Sequence, residues 1–301
     1  MSREAVLLLA HGSPEKAGEI DEYLRLVTGG RPLPPSVVEE VKRRYELTGP
    51  SPLPELARRQ AAALANLLQM PVHLGMRNWR PSIAEAVAQM AAEGVTRAVA
   101  ICLAPQSAQS SVGLYRKAVQ ETGAAFPILF VEEWHDAPGL ISAFAGHLRA
   151  GWAEACREAG SALPAIFTAH SIPRTKSDDG SGYERQARRT AELVRQSVEE
   201  VAERRFAFQS QGMSGGEWLG PTVEETIAEL AQAGHRGVFV QPIGFLCDNL
   251  EILYDIDVHF REVAEEHGMR LWRAESLNED PRLTETLASV ARRYLQEDER
   301  A

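Results

Sequence analysis

Short runs of uninterrupted apolar residues alternate along this chain with stretches whose apolar positions recur every three or four residues. The runs at 5–10, 72–76, 98–103, 128–132, 166–170, 206–211 and 238–242 read as strands, most of them buried on both faces. Helical spacing covers 19–26, 37–47, 56–69, 139–159, 184–201 and 283–295. Glycine and proline mark loops at 28–35 and 48–52, and a polar loop at 175–183 and a glycine-rich one at 212–216 break the second half. Strands alternating with helices predict α/β architecture with parallel sheets.

The pattern also repeats. Leu8-Leu9-Ala10-His11-Gly12-Ser13-Pro14 ends one strand, and Phe167-Thr168-Ala169-His170-Ser171-Ile172-Pro173 ends another. Trp79-Arg80-Pro81-Ser82-Ile83-Ala84-Glu85 is echoed by Trp218-Leu219-Gly220-Pro221-Thr222-Val223-Glu224-Glu225. In both, Ser or Thr followed three residues later by Glu forms a capping box that opens a helix. These echoes predict two similarly wound α/β domains facing each other, residues 1–150 and 151–282, with the last helix in 283–301 packing back on the first.

Composition narrows the class. The 301 residues are 44% hydrophobic and 25% charged, with a formal charge of −10 and no basic run. Nucleic acid is therefore not expected as a partner, because phosphate binding needs a concentrated basic face. Cys102, Cys156 and Cys247 are far apart, which excludes a four-thiolate zinc or iron–sulfur site within the chain and fits reduced thiols. No run approaches the ~18 apolar residues of a membrane span, so a soluble cytoplasmic monomer without stable membrane insertion is expected.

Chemistry concentrates at two places. In a parallel sheet the carboxyl ends of strands border the ligand crevice, so the strand ending at His170 would deliver an imidazole there; a histidine satisfied by its own turn is the plain alternative. The acidic segment 248–257 reads as a helix on which Glu251, Asp255 and His259 stand four apart and share one face. Like charges at that spacing oppose a helix, so the row is either a solvated face or a functional one. Imidazole and carboxylate across a crevice suit a divalent metal such as Fe²⁺ and can also remove protons from a substrate. Gly-x-Gly-x-x-Gly, Gly-x₄-Gly-Lys and Gly-x-Ser-x-Gly are absent.

Thr168-Ala169-His170-Ser171-Ile172-Pro173, Trp218-Leu219-Gly220-Pro221 and Gly244-Phe245-x-x-Asp248-x-x-Glu251-x-x-Tyr254-Asp255 together resemble the ferrochelatases, supported by Tyr45-x₄-Pro50-Ser51-Pro52-Leu53 and Leu103-Ala104-Pro105. The resemblance implies two Rossmann-like domains with a porphyrin cleft between them. It further implies a lyase of haem biosynthesis that inserts Fe²⁺, as substrate, with no organic cofactor and no iron–sulfur cluster. By the same resemblance His170 and Glu251 are the catalytic, iron-facing pair, and Asp255 continues a path for metal or protons.

Segment 28–51 bears on the substrate. It reads as short and polar, which resembles the soluble coproporphyrin III enzymes more than the protoporphyrin IX enzymes with their longer apolar lip. Residues matching that group's substrate contacts are Thr28, Arg44, Tyr45, Ser51 and Tyr115, with His11 where a tyrosine usually ligates the product iron axially. Thr28 stands where an arginine is usual, and His259 where a further acid continues the row. The competing readings are a protoporphyrin IX ferrochelatase, a sirohydrochlorin or cobalt chelatase, and a two-lobed tetrapyrrole or metal-binding protein without turnover.

Overall fold

The computed structural model describes residues 3–174, 182–211 and 217–298; the expected loops at 175–183 and 212–216 lie wholly or mostly outside them. Two compact units emerge. The first comprises Met1–Pro105, Ser110–Trp134 and Asn278–Ala301, and the second Gln106–Gln109 with His135–Leu277.

The first unit holds a four-stranded parallel sheet in the order β2-β1-β3-β4, made of β1 (Glu4–Ala10), β2 (Val72–Met76), β3 (Arg97–Cys102) and β4 (Ile128–Val131). Ala5 to Leu9 of β1 are wholly inaccessible, as a central strand covered on both faces must be. Around it run α1 (Ile20–Val27), α2 (Pro35–Thr48), α3 (Leu53–Leu68), α4 (Ile83–Ala92) and α5 (Val112–Glu121). The apolar faces of α4 and α5 (Ile83, Val87, Met90, Val112 and Val119) share one core with Leu7 and Leu9.

The second unit repeats the plan. Its sheet runs β6-β5-β7-β8, again fully parallel, from β5 (Ala165–His170), β6 (Arg204–Gln209), β7 (Gly237–Pro242) and β8 (Arg270–Arg273). Helices α6 (Pro138–Ala159), α7 (Tyr183–Ser197), α8 (Val223–Gln232) and α9 (Arg261–Glu266) accompany it, with a ten-residue π-helix at Glu251–Phe260. The final helix, α10 (Pro281–Asp298), packs on α3 and β3 of the first unit.

Several expectations shift. The units part ahead of α6 rather than at residue 150, because α6 packs on α7, β7 and β8. The helix expected over 184–201 stops at Ser197, and the strand expected over 206–211 stops at Gln209, after which Ser210 turns left-handed at φ 60°. Strand β8 (Arg270–Arg273) and helix α5 were not among the expected elements; the four-residue strand is too short to show a period, while α5 buries Val112, Tyr115 and Val119 at helical spacing. The helix expected over 248–257 is a π-helix beginning at Glu251. Residues four apart are neighbours in α- and π-helices alike, so periodicity does not separate the two.

Both capping boxes are present: Ser82 Oγ accepts from Glu85 N at 3.2 Å, and Thr222 Oγ1 from Glu225 N at 3.1 Å. Each glutamate closes back on its cap residue's N–H, at 2.7 and 2.8 Å. Ser82→Ala and Thr222→Ala should each lower unfolding free energy by about 1 kcal/mol. The double variant should lose the sum, because the boxes share no partner; urea denaturation followed by circular dichroism measures all three.

Candidate functional site

The second sheet reverses its winding direction between β5 and β7, and the carboxyl edge at such a switch point is where open α/β sheets bind ligands. Residues Ala165 to Ala169 are at most 2% exposed; His170 is the first residue of β5 to reach partial exposure. Its Nδ1 makes a short hydrogen bond to the Ser171 carbonyl, which places the ring proton on Nδ1 and leaves the Nε2 lone pair with no partner among the described residues. The Tyr183 hydroxyl donates to the His170 carbonyl at 2.8 Å, and burial pushes that hydroxyl's pKa up, keeping it a donor.

The segment after β7 is drawn against the end of β5. Ile243 N and Gly244 N both donate to Thr168 O, at 2.8 and 3.3 Å. A Cβ on Gly244 would stand 2.9 Å from the Cα of Ala169, so a side chain at 244 would force the segments apart. Phe245 then lies tilted against the His170 imidazole, with centroids 6.1 Å apart.

From this edge the π-helix carries the acidic row. The Asn249 side-chain oxygen caps it, accepting from Ile252 N at 3.0 Å. Ile252, Ile256 and Phe260 are buried in the core of the second unit and hold one face down. One position ahead of each, Glu251 is half-buried, Asp255 only 6% exposed, and His259 half-exposed. Asp255 Oδ2 accepts a short hydrogen bond from Ser210 Oγ. His259 Nε2 lies 3.1 Å from Glu224 Oε1 on α8.

Not every acid of the segment belongs to the row. Arg273 donates to both oxygens of Asp257, at 2.8 and 2.9 Å, and to Asp248 at 3.2 Å, while Ser276 Oγ donates to Asp248 at 2.7 Å. Burial opposes the charge on Arg273, but these two carboxylates outweigh it and raise its pKa. Asp248 and Asp257 are thus structural ion-pair members. Nearby Cys247 is buried, which pushes its thiol up to about 12, so it stays neutral.

At the corresponding edge of the first sheet, Gly12 takes φ 83° and has no room for a Cβ, which would meet Trp79 Cβ at 2.5 Å. His11 Nδ1 lies 3.0 Å from Gly12 O and 3.3 Å from the Tyr23 hydroxyl. Its Nε2 lies 3.0 Å from Asn78 Nδ2, and an amide nitrogen can only donate, so the Nε2 lone pair is engaged.

The other residues matched by resemblance are placed within the first unit. Thr28 Oγ1 caps the end of α1, 2.7 Å from Arg31 O and 3.0 Å from Leu24 O. Arg44 Nε donates to Glu40 at 2.9 Å, and Arg43, then Arg44, hold that carboxyl down at about 2. Tyr45 and Ser51 are 7% and 5% exposed; Tyr115, at 5%, belongs to the α4–α5 core with the Arg77 guanidinium 5.4 Å from its ring centre. Only His11, Thr28 and Arg44 of the six present appreciable surface. The segment 28–51 is also less polar at its margins than expected, because Leu26, Val27 and Leu47 are exposed. Ser210, Glu224, Asn78 and Arg273 escaped the sequence reading, since nothing local marks a partner tens of residues away.

A family model described as Ferrochelatase matches residues 3–295. A protein from Acidobacterium capsulatum named Ferrochelatase is 49% identical over 304 residues, covering 96% of this chain and 94% of that one. One from Bacillus subtilis named Coproporphyrin III ferrochelatase is 31% identical, covering 98% and 99%. Among solved structures, SirB from Bacillus subtilis with Fe³⁺ aligns with a TM-score of 0.61 over 99% of this chain and 97% of that one, at 13% identity, which speaks to fold alone.

The His259–Glu224 pair has a definite pH signature. The Glu224 hydrogen bond raises the His259 pKa; burial works against the Glu224 carboxylate, yet His259 holds its pKa below the ordinary value. The histidine's contribution is complete below its ordinary 6.5 and is lost as pH rises through its raised value; the glutamate's is present above 4.5 and is lost as pH falls through its lowered one. Both side chains are 41% exposed, so the pair contributes only about 0.5 kcal/mol after screening. In NMR titration the His259 imidazole should therefore have its midpoint above 6.5 and return toward that value in Glu224→Gln.

Proposed function

The chain belongs to the ferrochelatase family, and we propose that it inserts Fe²⁺ into coproporphyrin III, with His170 and Glu251 as the groups that act on the reacting centre. The observation that carries this reading is the open Nε2 of His170 at the β5/β7 switch point, with the row of Glu251, Asp255 and His259 rising from the same edge of the second unit.

The reaction requires two pyrrole N–H protons to leave while ferrous iron sheds its water. An imidazole with its proton fixed on Nδ1 can accept one pyrrole proton at Nε2. Glu251 offers a carboxylate that can take the second proton or transiently ligate the incoming cation. Asp255 and then His259 continue the row along the π-helix and give protons or hydrated metal a charged path. Iron remains ferrous throughout, so the step needs no redox partner, organic cofactor or iron–sulfur cluster.

For the substrate, support comes from relatives named Coproporphyrin III ferrochelatase at 31–36% identity, balanced by the 49% relative whose name states no porphyrin. Arg44 is a partly exposed donor that could meet a propionate, a guanidinium being suited to carboxylates, whereas the Thr28 hydroxyl would first have to leave the carbonyls of Leu24 and Arg31. For His11 to ligate the product iron, its Nε2 would have to leave Asn78. Among the described residues no helix is long and apolar enough to cross a membrane.

Two measurements test the assignment. His170→Ala should abolish iron insertion while leaving porphyrin binding largely intact, and Glu251→Gln should lower kcat by at least ~100-fold; near-normal turnover in either would remove that residue from the chemistry. In detergent-free buffer with Fe²⁺, kcat/KM should be higher for coproporphyrin III than for protoporphyrin IX, and the reverse order would reassign the substrate. Stoichiometric spectral change without turnover would instead mark a binding protein.

A further inference from the structure

We propose that Ser210 is a positioning residue for Asp255, locking the acidic row to the strand that carries His170; the proposal rests on the reading of that row given above. Ser210 follows β6 directly and adopts φ 60°, a left-handed conformation that side chains other than glycine rarely take. Glycine would be free of strain there, and the chain places glycines at 212, 215 and 216, just beyond. A serine held in this conformation indicates that the hydroxyl is needed. Its Oγ donates to Asp255 Oδ2 in a short hydrogen bond, and Asp255 is almost fully buried.

The backbone that presents Ser210 is itself anchored to β5. Gln209, 1% exposed, accepts at Oε1 from Thr168 Oγ1 at 2.6 Å, and its carbonyl accepts from Ser171 N at 2.7 Å. The hydrogen bond that fixes the His170–Ser171 peptide and the one to Asp255 are therefore made by adjacent residues. Ser210 converts the register of β5 against β6 into the orientation of a carboxylate on the π-helix. Loss of this bond removes the restraint that Ser210 places on the carboxylate and would disturb its place in the row without altering where porphyrin binds.

Three variants separate the possibilities. Ser210→Ala removes the hydroxyl and keeps the conformational cost, Ser210→Gly removes both, and Asp255→Asn removes the charge. Both Ser210 variants should lower kcat for iron insertion roughly 10-fold, the low end for groups that orient reacting residues, while the KM for porphyrin stays within about twofold. Ser210→Gly should cause no further loss in the Asp255→Asn background, the coupling expected of two groups that act as one unit. An impaired Asp255→Asn beside a Ser210→Gly with unchanged kcat would overturn the positioning role alone. So would losses that simply multiply in the double variant. An Asp255→Asn enzyme with unchanged kcat would overturn both the row and its positioning.

Discussion

The site depends on one constraint, the complete burial of β5 between two parallel neighbours. A strand flanked on both sides must spend its N–H and C=O groups on the ladder, since unpaired ones would be costly away from water. Its side chains are covered on both faces as well, so only its carboxyl end can present chemistry. His170 occupies that end. Placement of the imidazole is therefore a property of the sheet, and the loop after β7 completes it by approaching so closely that only glycine fits at 244.

The features legible in the sequence were those with short-range signatures. The apolar runs found the strands of the buried sheets other than β8, and Ser82/Glu85 and Thr222/Glu225 announced two helix starts because a capping box acts over three residues. The echo of Ala-His at two strand ends pointed to two units with the same winding, which appears as identical sheet orders. Less visible were pairings over distance. Arg273 lies sixteen residues from Asp257, and no local pattern announces that it removes Asp257 and Asp248 from the acidic set. The π-helix was hidden for another reason. Its rows of Glu251, Asp255, His259 and of Ile252, Ile256, Phe260 keep a spacing that an α-helix would also place on one face.

Electrostatics explains how so acidic a segment remains folded. Four carboxylates, Asp248, Glu251, Asp255 and Asp257, fall within ten positions, and like charges at helical spacing repel. The molecule divides them. Two are held by one mostly buried arginine, a third accepts from a serine hydroxyl, and the histidine that ends the row pairs with Glu224. Glu251, the member nearest the loop from β7, is left half-buried without an ion pair among the described residues. A carboxylate left without an ion pair at such an edge is a group that an arriving cation would stabilise.

The two repeats share a strand plan and differ in what surrounds the histidine at its end. His11 directly follows β1 and His170 ends β5, and in each the Nδ1 lies against the carbonyl of the next residue, so each imidazole is turned the same way by its own backbone. They differ at the other nitrogen. Asn78 occupies Nε2 of His11, whereas Nε2 of His170 faces no donor among the described residues. A lone pair already accepting a hydrogen bond is less available to a ligand than an open one, because the bond must break first. The second unit also has the π-helix after its third strand, where the element that follows the third strand of the first is the α-helix α5. The same fold, twice used, therefore sets an imidazole nitrogen with no partner among the described residues beside an acidic row at the edge of the second sheet.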